Sequence, residues 1–175
     1  MNQFVTLVDQ NNQPIGKMEK MEAHRKGKLH RAFSVFVFNT KGELLLQRRA
    51  FSKYHSGGLW TNTCCSHPLH GEDLVDSAKR RMIEEMGFEC EIEEIFSFIY
   101  RAELDNDLIE HELDHVLIGY YSGHPEVNPE EVAEYRYVSM EKIRKELEVD
   151  PAMYTEWFKI IFDRVSQHLQ QNQAL

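Results

Sequence analysis

Apolar and polar positions along this chain alternate between a period of two and a period near four, and the changes mark out its elements. Phe4–Val8 is a short strand-like run, ended by the turn-prone Asn11-Asn12-Gln13-Pro14. A basic stretch follows from Lys17 to Arg31 and carries His24 and His30. Ala32–Phe38 and Glu43–Gln47 have strand character and are joined by Asn39-Thr40-Lys41-Gly42, a hairpin-type connection. After Arg48-Arg49 a long loop, Ser52–Gly58, leads into a segment opening at Trp60. Leu74, Ala78, Met82 and Met86 recur every four residues, and Gly87 stands where a C-terminal cap belongs, so 74–86 is predicted as a helix. Glu91–Arg101, Glu112–Tyr121 and the shorter Tyr135–Val138 are predicted strands. Met140–Leu147 is predicted as a helix. Met153–Leu169 is predicted as a longer one, with Trp157, Ile160, Ile161 and Val165 as its apolar stripe. Strands and helices interspersed in this way predict an α/β (α+β) class: a mixed β-sheet sandwiched between helices, in one domain over 1–175.

Composition narrows the choice of partner. The 175 residues carry a formal net charge of −9, which argues against nucleic-acid or anionic-membrane binding. An anionic substrate would then need a local basic cluster, a metal ion, or both. No apolar run approaches the ~18–20 residues that span a bilayer, and Met1–Val5 lacks the basic and apolar regions of a signal peptide. The three cysteines are Cys64, Cys65 and Cys90. Adjacent Cα atoms stand only ~3.8 Å apart, too close for a relaxed disulfide, so a reduced, cytoplasmic protein is the expectation. Cys90 is expected to be a small buried hydrophobe.

The candidate chemistry sits in two short segments. Trp60-Thr61-Asn62-Thr63-Cys64-Cys65-Ser66-His67-Pro68 sets thiols beside an imidazole, and Glu110-His111-Glu112 offers two carboxylates one residue apart. On a strand these carboxylates, with Asp114, share a face, and the apolar continuation Val116, Leu117, Ile118, Tyr120 suggests that the strand is buried. Carboxylates turned into a buried site need a cation or a proton. His24 and His30 are six apart, which on an ideal helix turns them ~240° from one another, so they converge on one ion only if at least one lies outside a helix. With His67, Glu110 and Glu112 they make a mixed N/O donor set suited to Zn²⁺, Mn²⁺ or Mg²⁺, with Mg²⁺ the least comfortable on imidazole. On the 74–86 helix, Arg81 and Glu85 share a face. Lys20, Arg49, Lys53 and Arg81 supply positive charge from separate segments, an anion site only if the fold gathers them.

The helix and its approach resemble the Nudix signature G-x5-E-x7-R-E-U-x-E-E-x-G-U, with Ser66 for the first Gly, then Glu72, Arg80, Met82, Glu84, Glu85 and Gly87. Arg81 replaces a glutamate of that pattern and Phe88 is aromatic, so ordinary metal-driven Nudix hydrolysis is not what the match implies. The same departure is similar to the type 1 isopentenyl-diphosphate isomerases, Nudix-fold relatives that move a double bond and leave the diphosphate intact. Trp60–Pro68 matches their W-T-N-[ST]-x-C-x-H-P signature and Glu110-His111-Glu112 their E-x-E. His24 with Leu29–Ser34, Arg48–Lys53, Tyr100-Arg101-Ala102 and Trp157 also have counterparts, so the resemblance runs from about Lys20 to Trp157. It departs at Tyr54-His55-Ser56-Gly57-Gly58, where some members carry a W-P-G-type loop, a difference expected to touch substrate closure and not the chemistry.

The resemblance implies roles by position. His24, His30, His67, Glu110 and Glu112 would hold a divalent metal, Mn²⁺, Zn²⁺ or Mg²⁺. Cys65, not Cys64, would be the thiol acid/base, with Glu112 its partner across the substrate and Tyr100 a hydrogen-bonding assistant. Glu85 would hold a second, diphosphate-bound Mg²⁺, Lys20, Arg49, Lys53 and Arg81 would grip the phosphates, and Trp157 would shield a carbocation by its π-face. The expected partner is a small-molecule diphosphate, with no nucleic acid and no membrane, and the chain a monomer or weak homodimer. The competing readings are a Nudix hydrolase of a nucleoside diphosphate compound and a non-catalytic Nudix-like binding module.

Overall fold

A computed structural model describes residues 2–173. Nine strands and four α-helices follow one another as β1 (Phe4–Val8), β2 (Pro14–Glu19), α1 (Lys20–Lys26), β3 (His30–Phe38), β4 (Glu43–Arg49), β5 (Trp60–Thr61), β6 (Cys64–Ser66), α2 (Leu74–Met86), β7 (Ile92–Glu103), β8 (Ile109–Tyr120), β9 (Val132–Ser139), α3 (Met140–Val149) and α4 (Glu156–Gln173). All nine strands belong to one sheet. Its spine is β3, parallel to β8 along its full length from His30↔Glu112 to Phe38↔Tyr120. On its other edge β3 meets β1 at Leu7↔His30, β6 at Phe33↔Ser66 to Val35↔Cys64, and β4 at Phe38↔Leu44, all antiparallel. The long β7–β8 hairpin and the β4–β9 pair extend the sheet to either side.

The strand period of two divides the side chains of β3 between two cores. Phe36 and Phe38 join Val116, Ile118, Trp157, Phe158, Ile161 and Phe162 on the face covered by α4. Phe33, Val35, Val37, Cys64 and Leu117 pack on the other face against Ala78, Met82 and Met86 of α2. Adjacent cysteines thereby part company: Cys64 faces the α2 layer, and Cys65 packs against the α4 side.

The helix over 74–86 falls as expected because both ends are specified. The Asp73 side chain accepts hydrogen bonds from the Val75 and Asp76 amides, and Gly87 closes the helix at φ 71° with its N–H on Ile83 O. A Cβ at Gly87 would stand 2.2 Å from Glu126 O, so no side chain fits there. Phe4–Val8 is likewise a strand within the expected bounds.

Five expectations need correction. Residues Pro14–Glu19, read as turn and basic stretch, form a strand paired with β1. The strand expected from Glu112 begins at Ile109, because a 3₁₀ turn at Asp105–Asp107 with Asn106 at φ 59° closes a tight hairpin and lets Ala102 pair with Glu110. The last helix starts at Glu156 and not at Met153: Pro151–Met153 is a 3₁₀ turn, and Thr155 Oγ1 accepts the Phe158 amide at 3.3 Å as a cap. Ile160, placed in that helix's apolar stripe, is 37% exposed, and Phe158 and Phe162 fill the buried face in its stead. Cys90 is half-buried at the edge of the α2 core and not fully enclosed.

Candidate active site

Strand register carries the expected donors to one place. His30 opens β3 directly beside Glu112 of β8, and Tyr100 of β7 pairs with Glu112 from the other side. His24 lies on α1, whose last turn ends at Gly27 (φ 62°) and leads into β3, so one histidine is helical and the other is not. His67 follows β6. Glu112 Oε1 is 2.8 Å from His67 Nε2, 3.6 Å from His30 Nε2 and 4.0 Å from His24 Nε2. The ligand atoms of His24, His30, His67 and Glu112 all lie within 4.8 Å of one another. Glu110 falls outside that set and groups instead with His24 and His55.

The donor chemistry fits a divalent ion. His24 Nδ1 is 2.7 Å from Lys20 O and His30 Nδ1 is 2.7 Å from Lys28 O, which fixes each ring and turns Nε2 inward. Both of those Nε2 atoms are buried without a hydrogen-bond partner, a costly arrangement unless something else completes them. Burial lowers the pKa of His24 and pushes His67 down to about 3 against the pull of Glu112, so both are neutral and able to ligate. Burial alone would raise Glu112, but His67 and His30 outweigh it and hold that carboxyl well below its usual range. Glu110 moves the opposite way, raised by burial and by the charge of Glu112.

Tyr100 joins the two carboxylates. Its hydroxyl oxygen is 2.7 Å from Glu110 Oε2 and 2.8 Å from Glu112 Oε2. Cys65 stands across β3 from them, paired with Ser34. Its thiol donates to Asn62 Oδ1 at 2.9 Å and accepts the Trp157 indole N–H at 3.1 Å. Burial, then the nearby Asp114, raises the Cys65 thiol to about 12, so in the metal-free protein the sulfur is protonated at neutral pH. Trp157 therefore meets the sulfur edge-on, while the Arg49 guanidinium lies 5.1 Å from its ring centroid.

The four expected cations meet at the same cleft, which Lys20, Arg49, Lys53 and Arg81 line together with Cys65, Glu85, Glu112 and Trp157. Burial and the adjacent Lys53 and Arg81 charges lower the Lys20 pKa, a sign of crowded positive charge. Glu131 partly offsets it, 2.5 Å from Lys53 and 3.5 Å from Arg81. Glu85 sits apart from the imidazole cluster, bound by Arg81 and by Gln47 Nε2–H at 2.9 Å.

Three participants escaped the sequence reading. His55, in the loop expected to leave the chemistry alone, is only 3% exposed and has its Nε2 4.0 Å from Glu110 Oε1. Asn62 lay inside the quoted motif with no role, and Glu131 had no motif at all. Asp114 was placed on the right face but given no task; its carboxyl is raised by burial and then by Glu112, and it accepts the Ser34 hydroxyl at 2.8 Å. A period-two reading of β3 and β8 together would have found the Ser34–Asp114 contact; nothing local would have found His55.

Residues 28–158 match the NUDIX domain, which defines the class of this fold. A crystal structure from Deinococcus radiodurans superposes with a TM-score of 0.74 at 18% identity, covering 90% of this chain and 96% of that one. The MutT protein of Methanosarcina mazei superposes at 0.66 and 23% identity, covering 82% and 95%. Among sequences the likeness is far closer. The isopentenyl-diphosphate Delta-isomerase of Pectobacterium atrosepticum is 51% identical over 166 residues, covering 95% of this chain and 93% of its own. The isopentenyl-diphosphate Delta-isomerase 2 of Photorhabdus laumondii is 50% identical, covering 100% and 99%. The chain belongs to the isopentenyl-diphosphate Delta-isomerase family.

Proposed function

We propose that this cleft interconverts isopentenyl and dimethylallyl diphosphate by protonating the alkene on one face and removing a different proton from the other. The observation that carries the reading is that a protonated, doubly hydrogen-bonded thiol and an ionised carboxylate flank β3 in one cleft ringed by cations. Isolated alkenes are very weak bases, so the acid and the base must be held in place with water excluded. Cys65 is oriented for this by Asn62 and Trp157, and Glu112 by Tyr100. Lys20, Arg49, Lys53 and Arg81 hold the diphosphate and keep the carbon skeleton over the acid/base pair. Arg81, where the Nudix pattern has a glutamate, adds positive charge to that grip.

His24, His30, His67, Glu110 and Glu112 would hold a resident divalent ion, Mn²⁺, Zn²⁺ or Mg²⁺, and Glu85 would hold the Mg²⁺ carried by the diphosphate. When bound, the resident ion supplies positive charge that keeps Glu112 ionised and fixed among the imidazoles. Tyr100 and Glu110 brace the far side of that carboxylate. General acid–base catalysis contributes ~10²–10⁴-fold, and the preorganised charges supply much of the rest. The reading carries with it a reduced, cytoplasmic setting in which Cys65 stays a thiol, and a monomer or weak homodimer. Among the described residues no helix is long and apolar enough to cross a membrane.

Incubation with isopentenyl diphosphate should yield dimethylallyl diphosphate with no phosphate released, and prior stripping with a chelator should stop turnover until a divalent ion is restored. Release of a monophosphate without isomerisation would sink this reading and favour a hydrolase.

A further inference from the structure

His55 is held as a ligand is held. Its Nδ1 lies 3.1 Å from Ser56 Oγ, while the Nδ1 atoms of His24 and His30 are engaged by backbone carbonyls, so in all three rings Nε2 is the nitrogen turned to the cluster. The ring is wedged edge-on against Trp157 at 5.6 Å and Tyr54 at 4.5 Å, and lies 29° from the plane of His24. The backbone of its loop is fixed as well: Arg49 Nη2 donates to His55 O at 3.1 Å, and the Ser56 amide donates to the Asp105 carboxylate at 3.1 Å. Such outer contacts fix ring orientation and tautomer at metal-binding histidines.

The ligand atoms of His24, His55 and Glu110 lie within 4.8 Å of one another, as do those of His24, His30, His67 and Glu112. His24 belongs to both groups and has only one free nitrogen, because Nδ1 is engaged by Lys20 O. One nitrogen lone pair serves one ion, so an ion bound at His24 would have His55 and Glu110 on one side and His30, His67 and Glu112 on the other, although the six donors do not all lie within 4.8 Å of one another. Metal–nitrogen bonds of ~2.0–2.1 Å place two ligands of an octahedral ion ~3.0 Å apart when adjacent and ~4.2 Å apart when opposite. The 4.0 Å between His55 Nε2 and Glu110 Oε1 falls in that interval, as do the 3.6 Å and 4.0 Å from Glu112 Oε1 to His30 and His24. Both glutamates engage Tyr100 through Oε2 and leave Oε1 to the cluster.

We propose that His55 is a protein ligand of the resident ion, reaching it beside His24 and Glu110. The inference rests on the metal-site reading above and adds a consequence to it. A fourth imidazole leaves fewer positions for water or substrate on the ion, which would act by charge and by fixing Glu112. Four imidazoles also turn the preference from Mg²⁺ toward Zn²⁺, Mn²⁺ or Co²⁺.

The test uses full-length protein stripped with a chelator and reloaded with Co²⁺ or Zn²⁺. Wild type, His55→Ala and His55→Gln are compared for bound metal per chain, for the rate of metal loss to a competing chelator, and for the visible Co²⁺ spectrum. Unfolding of the stripped proteins checks that each variant folds. Even outer-shell partners are worth 10–100-fold in affinity, so both variants should release metal at least ~10-fold faster. Their cobalt spectra should change, and added imidazole should restore retention in His55→Ala. Folded variants with wild-type release and an unaltered spectrum would overturn the ligand assignment alone. A wild-type protein that binds no ion would overturn the metal site itself.

Discussion

Replacing Tyr100 by Phe isolates one atom of the proposed machinery. A phenol has one proton, so between Glu110 Oε2 at 2.7 Å and Glu112 Oε2 at 2.8 Å it donates to only one carboxylate at a time. Glu112 is the ionised member of the pair and Glu110 the one whose pKa is raised, so the donated bond goes to Glu112. A hydrogen bond to a charged group contributes about 1.5–3 kcal/mol, and 1.36 kcal/mol is a factor of ten in rate, so the loss predicts a fall in kcat of about 10–150-fold. The ring itself stays buried and keeps its stacking on Phe98, with centroids 5.6 Å apart, so the fold should be unaffected. The assay is conversion of isopentenyl diphosphate followed by NMR, with metal content and thermal unfolding measured on the same samples. A variant with full metal occupancy, an unchanged melting temperature and kcat within twofold of wild type would refute the argument that this hydroxyl steers Glu112.

Cys65→Ala and Glu112→Gln should each cost at least ~10²–10⁴-fold in turnover, and Glu112→Gln should also lose metal, since its Oε1 faces three imidazoles; normal activity in either removes the acid/base assignment. Cys64→Ala should leave kcat within a few-fold, because that sulfur faces the α2 core, and stability should fall by about 1 kcal/mol in chemical denaturation. Alkylation of Cys65 by iodoacetamide in metal-free protein should show the raised thiol directly: a shift from 9.0 to about 12 leaves ~10³-fold less thiolate at neutral pH, so the rate should keep climbing past pH 9, and a plateau near 9 would contradict it. Phe158→Ala should destabilise by about 3–5 kcal/mol, since that fully buried ring stacks on Phe36 and Tyr154 and packs against a tilted Phe162, and a loss below 1 kcal/mol would mean that α4 is not anchored as described.

Where the sequence was legible, local rules agreed with one another. The Leu74–Met86 helix has an acidic cap at one end, a four-residue apolar repeat and a glycine that nothing else can replace at the other. The β8 carboxylates were legible because strand period and burial pointed the same way, and Glu110, Glu112 and Asp114 are indeed buried on one face. Pro14–Glu19 was not legible because its residues are exposed and carry no apolar alternation; it is a strand only because β1 offers it an edge. Tertiary pairing overrides weak local preference at such places. His55 was hidden for a different reason. Its loop has no period, and its ring reaches the site only because Arg49 and Asp105, six and fifty residues away, hold the backbone.

The exchange of glutamate for Arg81 explains why the metal-competent cluster is not on the helix that names this fold. Arg81 bonds Glu84 and Glu85 and approaches Glu131, so these acids already share one guanidinium, and a Mg²⁺ carried in on the diphosphate would be met by Glu85 beside it. Gln47 then engages the second oxygen of Glu85 at 2.9 Å. Among the described residues the groups able to surround an ion lie instead where α1, β3, the segment after β6 and β8 meet. On the proposed reading, that displacement separates two tasks which would otherwise compete for one charge: α2 would turn a cation toward the diphosphate, while the imidazole cluster would hold a carboxylate beside the reacting carbons. A diphosphate gripped by arginine and lysine would then lie away from the imidazole cluster, so the resident ion would polarise no bridging oxygen. Returning Arg81 to Glu should therefore weaken substrate binding without creating phosphate release, and a variant that both binds and hydrolyses isopentenyl diphosphate would show that the two tasks were never separate.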